Sequence, residues 1–291
     1  GPLNIIICEN LMDANLVIEG MIKEQLTEEE KALFDETVGL VEASIGRMVP
    51  VQTEEMKDGE PMRVCVERYG FLPTDGAAFK GGIPEIKNMV PFAPFDFYLK
   101  RKLYIHNMGH ATCAYLGDLL GLEYIYQAID VADIRIIVQN AMIESALALS
   151  GKYNVPLGDV VLHITDLLGR FTNAALKDTC ARVGGDPARK LSPDDRMIGS
   201  SSLALQQGIT PAYIAVGAAA GVHRYIKETE GMEQGMDAAK QVLTEVSKLD
   251  LDGELAKLIL AMYEKILSGA TVADLRRAAD AAKAATLKPI V

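Results

Sequence analysis

Apolar residues recur along this chain with two spacings, and each spacing predicts a different kind of structure. The run from Pro2 to Cys8 is apolar and largely β-branched, which predicts a strand buried on both faces, as in parallel sheets. From about Phe95 onward, apolar residues recur three and four positions apart, for example at Ile134, Ile137 and Val138. That period predicts a succession of helices, each with one buried side.

The stretch between these two regions mixes strand, helix and loop signals. Apolar, β-branched runs predict further strands at Gly39 to Val49 and at Arg63 to Glu67. Thr27 and Glu30 have the spacing of a capping box, so a helix is predicted to begin after Thr27. Residues 57–94 are rich in Gly and Pro, which predicts loops and short strands.

Together these patterns predict a mainly α fold in two parts. A small mixed α/β portion with a few strands covers residues 1–94, and a multi-helix domain covers residues 95–291. Neither Gly-x-Gly-x-x-Gly nor Gly-x-x-x-x-Gly-Lys-Ser/Thr occurs in the chain. No cradle for a dinucleotide or a triphosphate is therefore predicted within it.

Composition narrows the classes of function. The chain has 291 residues, 49% of them hydrophobic, and a net charge of -11, which argues against binding to a polyanion such as nucleic acid. The four cysteines, Cys8, Cys65, Cys113 and Cys180, show no CxxC spacing, which is typical of reduced cytosolic thiols. The chain shows neither a signal peptide nor an apolar run long enough to span a bilayer. We expect a cytoplasmic protein that binds neither nucleic acid nor a membrane.

Polar side chains interrupt an early helix of the multi-helix domain. On an α-helix with about 100° per residue, Lys102, His106, His110 and Asn107 fall at about 0°, 40°, 80° and 140°, so they share one face. Burying these groups without partners is costly, so the face is predicted to border a polar cavity. A partly desolvated lysine can accept a hydroxyl proton, while Asn and His donors polarise a carbonyl oxygen. The set fits oxidation of an alcohol.

Two other interpretations of these residues stay open. In the first, Lys102 is a surface lysine, both histidines line or cap the core, and Asn107 bonds to local backbone. In the second, His106 and His110 bind zinc, because they are four residues apart. However, the glutamate of His-Glu-x-x-His is missing and no third ligand is near in sequence. We therefore predict no metal.

This chain resembles the polyol-specific long-chain dehydrogenases over almost all of its length. Their signature is a lysine, four residues, an asparagine, two residues and a histidine, and it is matched here by Lys102, Asn107 and His110. The resemblance implies that Lys102 is the general acid/base, that Asn107 and His110 hold the reacting oxygen, and that the cofactor is NAD(P) without a metal. Pro2 to Asn10 is similar to the strand and Cys-Glu-Asn turn that close the nucleotide-binding domain in mannitol-1-phosphate 5-dehydrogenases. There the asparagine faces the site.

A later segment, Leu168 to Arg196, resembles the long motif of the phosphate-using branch of this family. Its cations form a basic group in an acidic chain, and a phosphate fits such a group. The implied substrate-binding residues are Arg182, Arg189, Lys190 and Arg196, together with Asn10 and Arg47. Gly46 and Gly185 depart from the family pattern, which often has Asp and Arg there. Alternatively, the cations pair with Asp178, Asp186, Asp194 and Asp195 on a solvated loop.

The resemblance implies the catalytic and substrate-binding part of an NAD-dependent enzyme that interconverts mannitol 1-phosphate and fructose 6-phosphate. A hexuronate or non-phosphorylated polyol dehydrogenase of the same family is the first alternative. The second is a non-catalytic helical module that forms a homodimer through the edge of the Pro2 to Cys8 strand. A Rossmann domain of about 100 to 150 residues is expected before Pro2. This domain is expected to be absent from the chain. Because NAD would bind mainly to that domain, we expect no turnover by the chain alone.

Overall fold

The computed structural model describes residues 1–9, 11 and 13–286. The chain divides into two compact units, Gly1–Lys102 and Leu103–Val291, whereas the sequence predicted a boundary after Pro94. In the part of the chain that is described, no helix is both long enough and apolar enough to cross a membrane.

The first unit is built on parallel strands. Its elements in chain order are β1 (Leu3–Ile7), α1 (Ala14–Lys23), α2 (Glu28–Thr37), β2 (Val38–Glu42), α3 (Glu54–Lys57), β3 (Leu72–Asp75), β4 (Met89–Phe92) and α4 (Asp96–Arg101). Strand β1 pairs with β2, and β3 pairs with β4, both in parallel. Because parallel neighbours need a crossover connection, α1 and α2 link β1 to β2 as a β-α-β unit.

Local signals predicted part of this unit well. Helix α2 begins after Thr27, whose backbone N–H donates to Glu30 Oε2 at 2.8 Å, while the Glu30 N–H donates to Thr27 Oγ1 at 3.4 Å. The predicted capping box is thus confirmed. Beyond the end of α3, the Gly- and Pro-rich stretch holds loops and the two four-residue strands β3 and β4, as predicted.

Strand β1 differs from its prediction. Leu3 is 58% exposed and Ile5 is 36% exposed, whereas Ile7 on the same face is 6% exposed, so the described residues cover this face of β1 only at its end. The prediction of a strand buried on both faces is therefore wrong. The apolar run indicated the strand itself but could not indicate which element covers it.

The two later strand predictions also need correction. The strand predicted for Gly39 to Val49 is shorter and ends at Glu42. Arg63 to Glu67 forms no strand, and the backbone of its middle residue pairs with a side chain: Gln52 donates to the Cys65 carbonyl at 3.0 Å and accepts from the Cys65 N–H at 2.7 Å. An amide side chain here replaces a neighbouring strand.

The predicted fold class is wrong about the N-terminal part. It placed residues 1–94, a small mixed α/β portion, outside a nucleotide-binding domain that is absent, whereas the first unit holds two parallel strand pairs, one of them joined by the β-α-β crossover of such a domain. The prediction failed because it relied on a Gly-rich phosphate turn as the marker of that domain. A parallel β-α-β crossover forms without such a turn.

The second unit is helical, as the 3.6-residue period predicted. After a π-helix at Lys102–Asn107, its elements are α5 (Met108–Leu119), α6 (Ile125–Asp130), α7 (Ala132–Tyr153), α8 (Leu157–Phe171), a 3-10 turn (Ala174–Leu176), α9 (Cys180–Gly184), α10 (Pro187–Lys190), α11 (Ile198–Gln206), α12 (Ala212–Glu228), α13 (Met236–Glu245), α14 (Glu254–Leu267) and α15 (Val272–Ala284). Helix α12 is buried from Ala212 to Val222. Small residues allow α12 to approach α5 closely, since a Cβ on Gly217 would lie 2.4 Å from Thr112 Oγ1.

Candidate active site

The residues predicted to carry chemistry lie where the helix geometry changes. The π-helix covers Lys102–Asn107, directly between α4 and α5. Its backbone hydrogen bonds join residues five apart, so Lys102 and Asn107 are one wide turn apart on the same side of the helix. The separation of about 140° predicted from an α-helix is therefore wrong. Short π-helical turns are frequent at functional sites.

His110 lies on α5, between an aromatic ring and a carboxylate. Its ring stacks on Phe171, with centroids 4.7 Å apart and planes inclined by 16°. Its Nε2 lies 3.5 Å from Asp178 Oδ2, a separation too long and too poorly aligned for a hydrogen bond. This nitrogen is buried without a hydrogen-bond partner among the described residues. Because an unpartnered buried polar atom is costly, we interpret it as a group that binds a ligand atom.

Four cationic side chains act on His110 besides the Asp178 carboxylate. Burial, followed by the charges of Arg182, Arg196, Arg170 and Lys190, lowers the pKa of His110 to about 3. The imidazole is therefore neutral at physiological pH and has one N–H to donate. A neutral donor in a positive field suits an oxygen that gains negative charge during a reaction.

His106 is a buried neighbour of this group, with 6% exposure. Its ring centroid is 6.1 Å from that of His110 and 5.9 Å from that of Phe171. Within the described ranges, no group of three His, Cys, Asp or Glu side chains is placed to hold a metal ion. The zinc interpretation thus gains no support from the geometry, and metal-free chemistry stays a prediction.

The predicted phosphate segment forms α9, α10 and the turns before α11. Its arginines have aspartate partners: Arg182 bonds to Asp178, Arg189 lies 2.7 Å from Asp186 and 3.4 Å from Asp195, and Arg196 lies 2.8 Å from Asp195. These three arginines therefore pair with aspartates, as the alternative to a phosphate site predicted. Asp194 differs, because its carbonyl oxygen accepts from the Tyr104 hydroxyl at 3.3 Å.

Lys190 is the exception among these cations. It is 5% exposed, and its amine has no ion pair or hydrogen bond to any residue in the described part of the chain. Burial, followed by the charges of Arg196 and Arg189, lowers the pKa of Lys190 to about 8. A buried, unpaired amine next to guanidinium groups favours an anionic ligand.

The remaining predicted residues lie elsewhere. Arg47 is in the first unit, where its Nε donates to the Tyr69 carbonyl. Asn10 lies outside the described residues. The structure therefore groups His110 with Arg182, Lys190 and Arg196, and the π-helix groups Lys102 with Asn107.

Two neighbours of His110 were not predicted as site residues. Phe171, the last residue of α8, and Asp178, just before α9, come close to His110 only through tertiary packing, and sequence spacing carries no information on that packing. Their one signal was their position inside the motif from Leu168 to Arg196.

Comparison with known proteins places the chain in a family. Residues 95–278 match the mannitol dehydrogenase C-terminal domain, and residues 1–88 match the mannitol dehydrogenase Rossmann domain. The chain belongs to the mannitol dehydrogenase family. These matches overturn the expectation that the Rossmann domain is absent. They confirm the predicted family but do not single out mannitol-1-phosphate 5-dehydrogenases.

Two solved structures share the fold of this chain. A D-sorbitol dehydrogenase in substrate-free form is 15% identical, with a TM-score of 0.77, over 95% of this chain and 62% of that chain. The Pseudomonas fluorescens mannitol 2-dehydrogenase ternary complex with NAD and D-mannitol is 16% identical, with a TM-score of 0.72, over 94% of this chain and 61% of that chain. The chain thus spans less than two thirds of each of these enzymes.

The residues present fit a nicotinamide cofactor in part. The parallel β1–β2 crossover is the framework on which Rossmann domains bind dinucleotides. The chain contains no Gly-x-Gly-x-x-Gly turn to approach a pyrophosphate. We therefore assign no residue of this mannitol dehydrogenase family member to contacts with the cofactor.

Proposed function

We propose that this chain holds the substrate and handles the proton in an NAD-dependent dehydrogenase that interconverts mannitol 1-phosphate and fructose 6-phosphate. The observation that carries the proposal is the arrangement of Lys102, Asn107 and His110 on one continuous run of helix. The π-helix brings the lysine and the asparagine to one side, and the histidine that follows is neutral with an unpartnered nitrogen. Membership of the mannitol dehydrogenase family supports this assignment.

Each of the three side chains has a separate task in the proposed reaction. The Lys102 amine accepts the proton of the substrate hydroxyl as that carbon is oxidised, and returns it in the reverse direction. The Asn107 amide and the His110 N–H donate to the oxygen that becomes a carbonyl. The chemistry that bound NAD would supply is a hydride acceptor for this oxidation.

The phosphate of the substrate is proposed to bind at Lys190, with Arg182, Arg189 and Arg196 around it. Support comes from the Lys190 amine, which lacks a carboxylate partner in the described residues. The arginines would exchange part of their contact with aspartates for the phosphate, because guanidinium groups bind phosphate through paired hydrogen bonds. Asn10 and Arg47 stay proposed substrate contacts on the strength of the resemblance.

The direct test of the proposal is Lys102→Ala. In an enzyme that carries the complete nucleotide-binding domain, we expect kcat for NAD-dependent oxidation of mannitol 1-phosphate to fall by about 10²- to 10⁴-fold, because the hydroxyl proton loses its acceptor. Lys100→Ala, on the preceding helix α4, is the matched control and should keep kcat within about twofold of the wild type. An unchanged kcat in Lys102→Ala would remove Lys102 from the mechanism. Assay of the unmodified chain also tests the expectation that it does not turn over by itself.

A hexuronate or non-phosphorylated polyol dehydrogenase is the competing assignment. Steady-state kinetics with mannitol 1-phosphate, mannitol and a hexonate, side by side, decide between them. Loss of kcat/KM in Arg189→Ala and Lys190→Met should be confined to the phosphorylated substrate if the phosphate binds there. Equal loss on all three substrates, or no loss, favours the competing assignment. The expected homodimer stays a prediction that light scattering tests.

A further inference from the structure

We propose that Asp178 is a positioning residue that orients His110 and Arg182 together, an inference that rests on the proposed function. The carboxylate lies between the two side chains. Its Oδ1 bonds to the Arg182 guanidinium, and its Oδ2 is 3.5 Å from His110 Nε2. One carboxylate therefore connects the proposed donor to the reacting oxygen with a proposed phosphate ligand.

Asp178 is well placed to hold such an arrangement. It is 7% exposed, and backbone bonds fix its chain segment to the turn before α6. The Asp178 carbonyl accepts from the Ile125 N–H at 2.9 Å, and the Cys180 N–H donates to the Glu123 carbonyl at 2.8 Å. Because these bonds use backbone atoms, substitution of the Asp178 side chain leaves them intact.

The position of the carboxylate determines which nitrogen of His110 carries the proton. A neutral imidazole has one N–H, and a nearby carboxylate favours the proton on the nitrogen that faces it. That nitrogen is Nε2, which is also the one without a hydrogen-bond partner among the described residues. Because the 3.5 Å separation from Asp178 is not a hydrogen bond, the Nε2–H group keeps its capacity to donate to a substrate oxygen. Arg182 neutralises Asp178, which limits repulsion between the carboxylate and the oxygen as it gains negative charge.

The tautomer of His110 is measured directly by two-bond 1H–15N correlation spectra of the histidine rings at pH 7, with His110→Gln as the assignment reference. We expect the proton on Nε2 in the wild type, a shift toward Nδ1 in Asp178→Ala, and a smaller shift in Asp178→Asn, whose amide oxygen still accepts. The control is Asp118, a residue of α5 whose carboxylate pairs with Arg224 at 2.9 Å. Asp118→Asn should leave the His110 tautomer unchanged. A wild-type His110 with its proton on Nδ1, or an unshifted tautomer in Asp178→Ala, overturns the proposal. The wild-type result decides even if Asp178→Ala does not fold.

Kinetics test whether Asp178 acts through His110. We expect kcat for oxidation of mannitol 1-phosphate to fall by about 10- to 100-fold in Asp178→Ala, the range seen when metal-bound histidines lose an orienting partner. In a His110→Gln background the same change should have little further effect on kcat, because coupled residues are not additive. Additive losses indicate a merely structural role and overturn the proposal. If an enzyme that carries the complete nucleotide-binding domain oxidises no polyol, the proposed function fails, and the tautomer measurement still decides the relation between Asp178 and His110.

Discussion

Lys190 is the residue of the proposed phosphate site whose charge changes in the working range of pH. Its pKa is lowered to about 8 by burial and by the charges of Arg196 and Arg189, so the amine is cationic at pH 7 and largely neutral at pH 9. Phosphate should bind more weakly at the higher pH, because one cation is lost.

Calorimetric titration with inorganic phosphate at pH 7 and pH 9 checks this prediction. We expect the Kd to rise by about tenfold between these values in the wild type, because only about a tenth of the Lys190 amine is protonated one pH unit above its pKa. Lys190→Arg keeps its charge at both values and should remove most of the dependence. If Lys190→Arg and the wild type respond to pH alike, another group is responsible.

At the scale of elements, helix α12 begins on a buried carboxylate. Glu144 of α7 is 1% exposed and accepts from the Tyr213 and Ile214 N–H groups, each at 3.1 Å. Lys283 of α15 also donates to it, at 3.3 Å. Burial nevertheless dominates and raises the pKa of Glu144 to about 7, while Lys283 and the two backbone N–H groups act in the opposite direction.

The raised pKa makes the free energy of unfolding depend on pH. The folded state holds the Glu144 proton more tightly than the unfolded chain does. The contribution of this proton to the free energy of unfolding is therefore full below pH 4.5 and is lost as pH rises through 7. Glu144→Gln does not titrate, so its stability relative to the wild type should increase by up to about 3 kcal/mol between pH 4.5 and pH 8. Urea unfolding at both values measures this, with the exposed Glu254→Gln as control. If the free energies of unfolding of Glu144→Gln and the wild type differ by the same amount at both pH values, the pKa of Glu144 is not raised in the folded state.

Close approach between α5 and α12 depends on glycine. A Cβ on Gly217 would meet Thr112 Oγ1 at 2.4 Å, whereas a Cβ on Gly169, in α8, would have no heavy atom within 4 Å. Gly217→Ala should therefore lower the free energy of unfolding by about 1–3 kcal/mol through overpacking. Gly169→Ala should raise it by about 0.5–1 kcal/mol, because alanine favours helix. Effects of the same sign in the two variants would show that packing at Gly217 does not limit stability.

The elements that sequence predicted correctly depend on neighbouring residues. The capping box at Thr27 and the helical period after Phe95 are local patterns, and the structure confirms both. The π-helix at Lys102–Asn107 could not be predicted, because the spacing of its residues fits the α-helical period and carries no signal of a wider turn. The exposed face of β1 was missed for a different reason, since burial depends on elements distant in sequence.

The candidate site shows the same division between local and distant information. The signature of Lys102, Asn107 and His110 lies within nine residues of one helix and was visible in the sequence. The stacking of Phe171 on His110 and the approach of Asp178 come from packing between helices. The sequence shows that cations and aspartates share one segment. Only the structure shows that the arginines pair with aspartates while Lys190 has no such partner among the described residues.

Across the whole molecule, the two compact units differ in the size of their hydrophobic cores. Among the described residues of the first unit, seven hydrophobic side chains are buried: Ile7, Ala14, Val41, Ala43, Met48, Met89 and Phe95. The second unit contains the largest fully buried side chains of the chain, including Tyr115, Tyr263 and Phe171. Because stability follows the apolar area removed from water, we expect the first unit to unfold at a lower temperature than the second.

Calorimetry and hydrogen exchange test this difference between the units. We expect two thermal transitions, with amides of β1 and β2 exchanging faster than those of α7 and α12, because local stability follows the buried apolar contacts of each region. Gly217→Ala assigns the transitions, since its overpacking lies within the second unit and should lower the upper transition by a few degrees while leaving the lower one in place. One cooperative transition with uniform amide protection would mean that the small core of the first unit does not limit its stability.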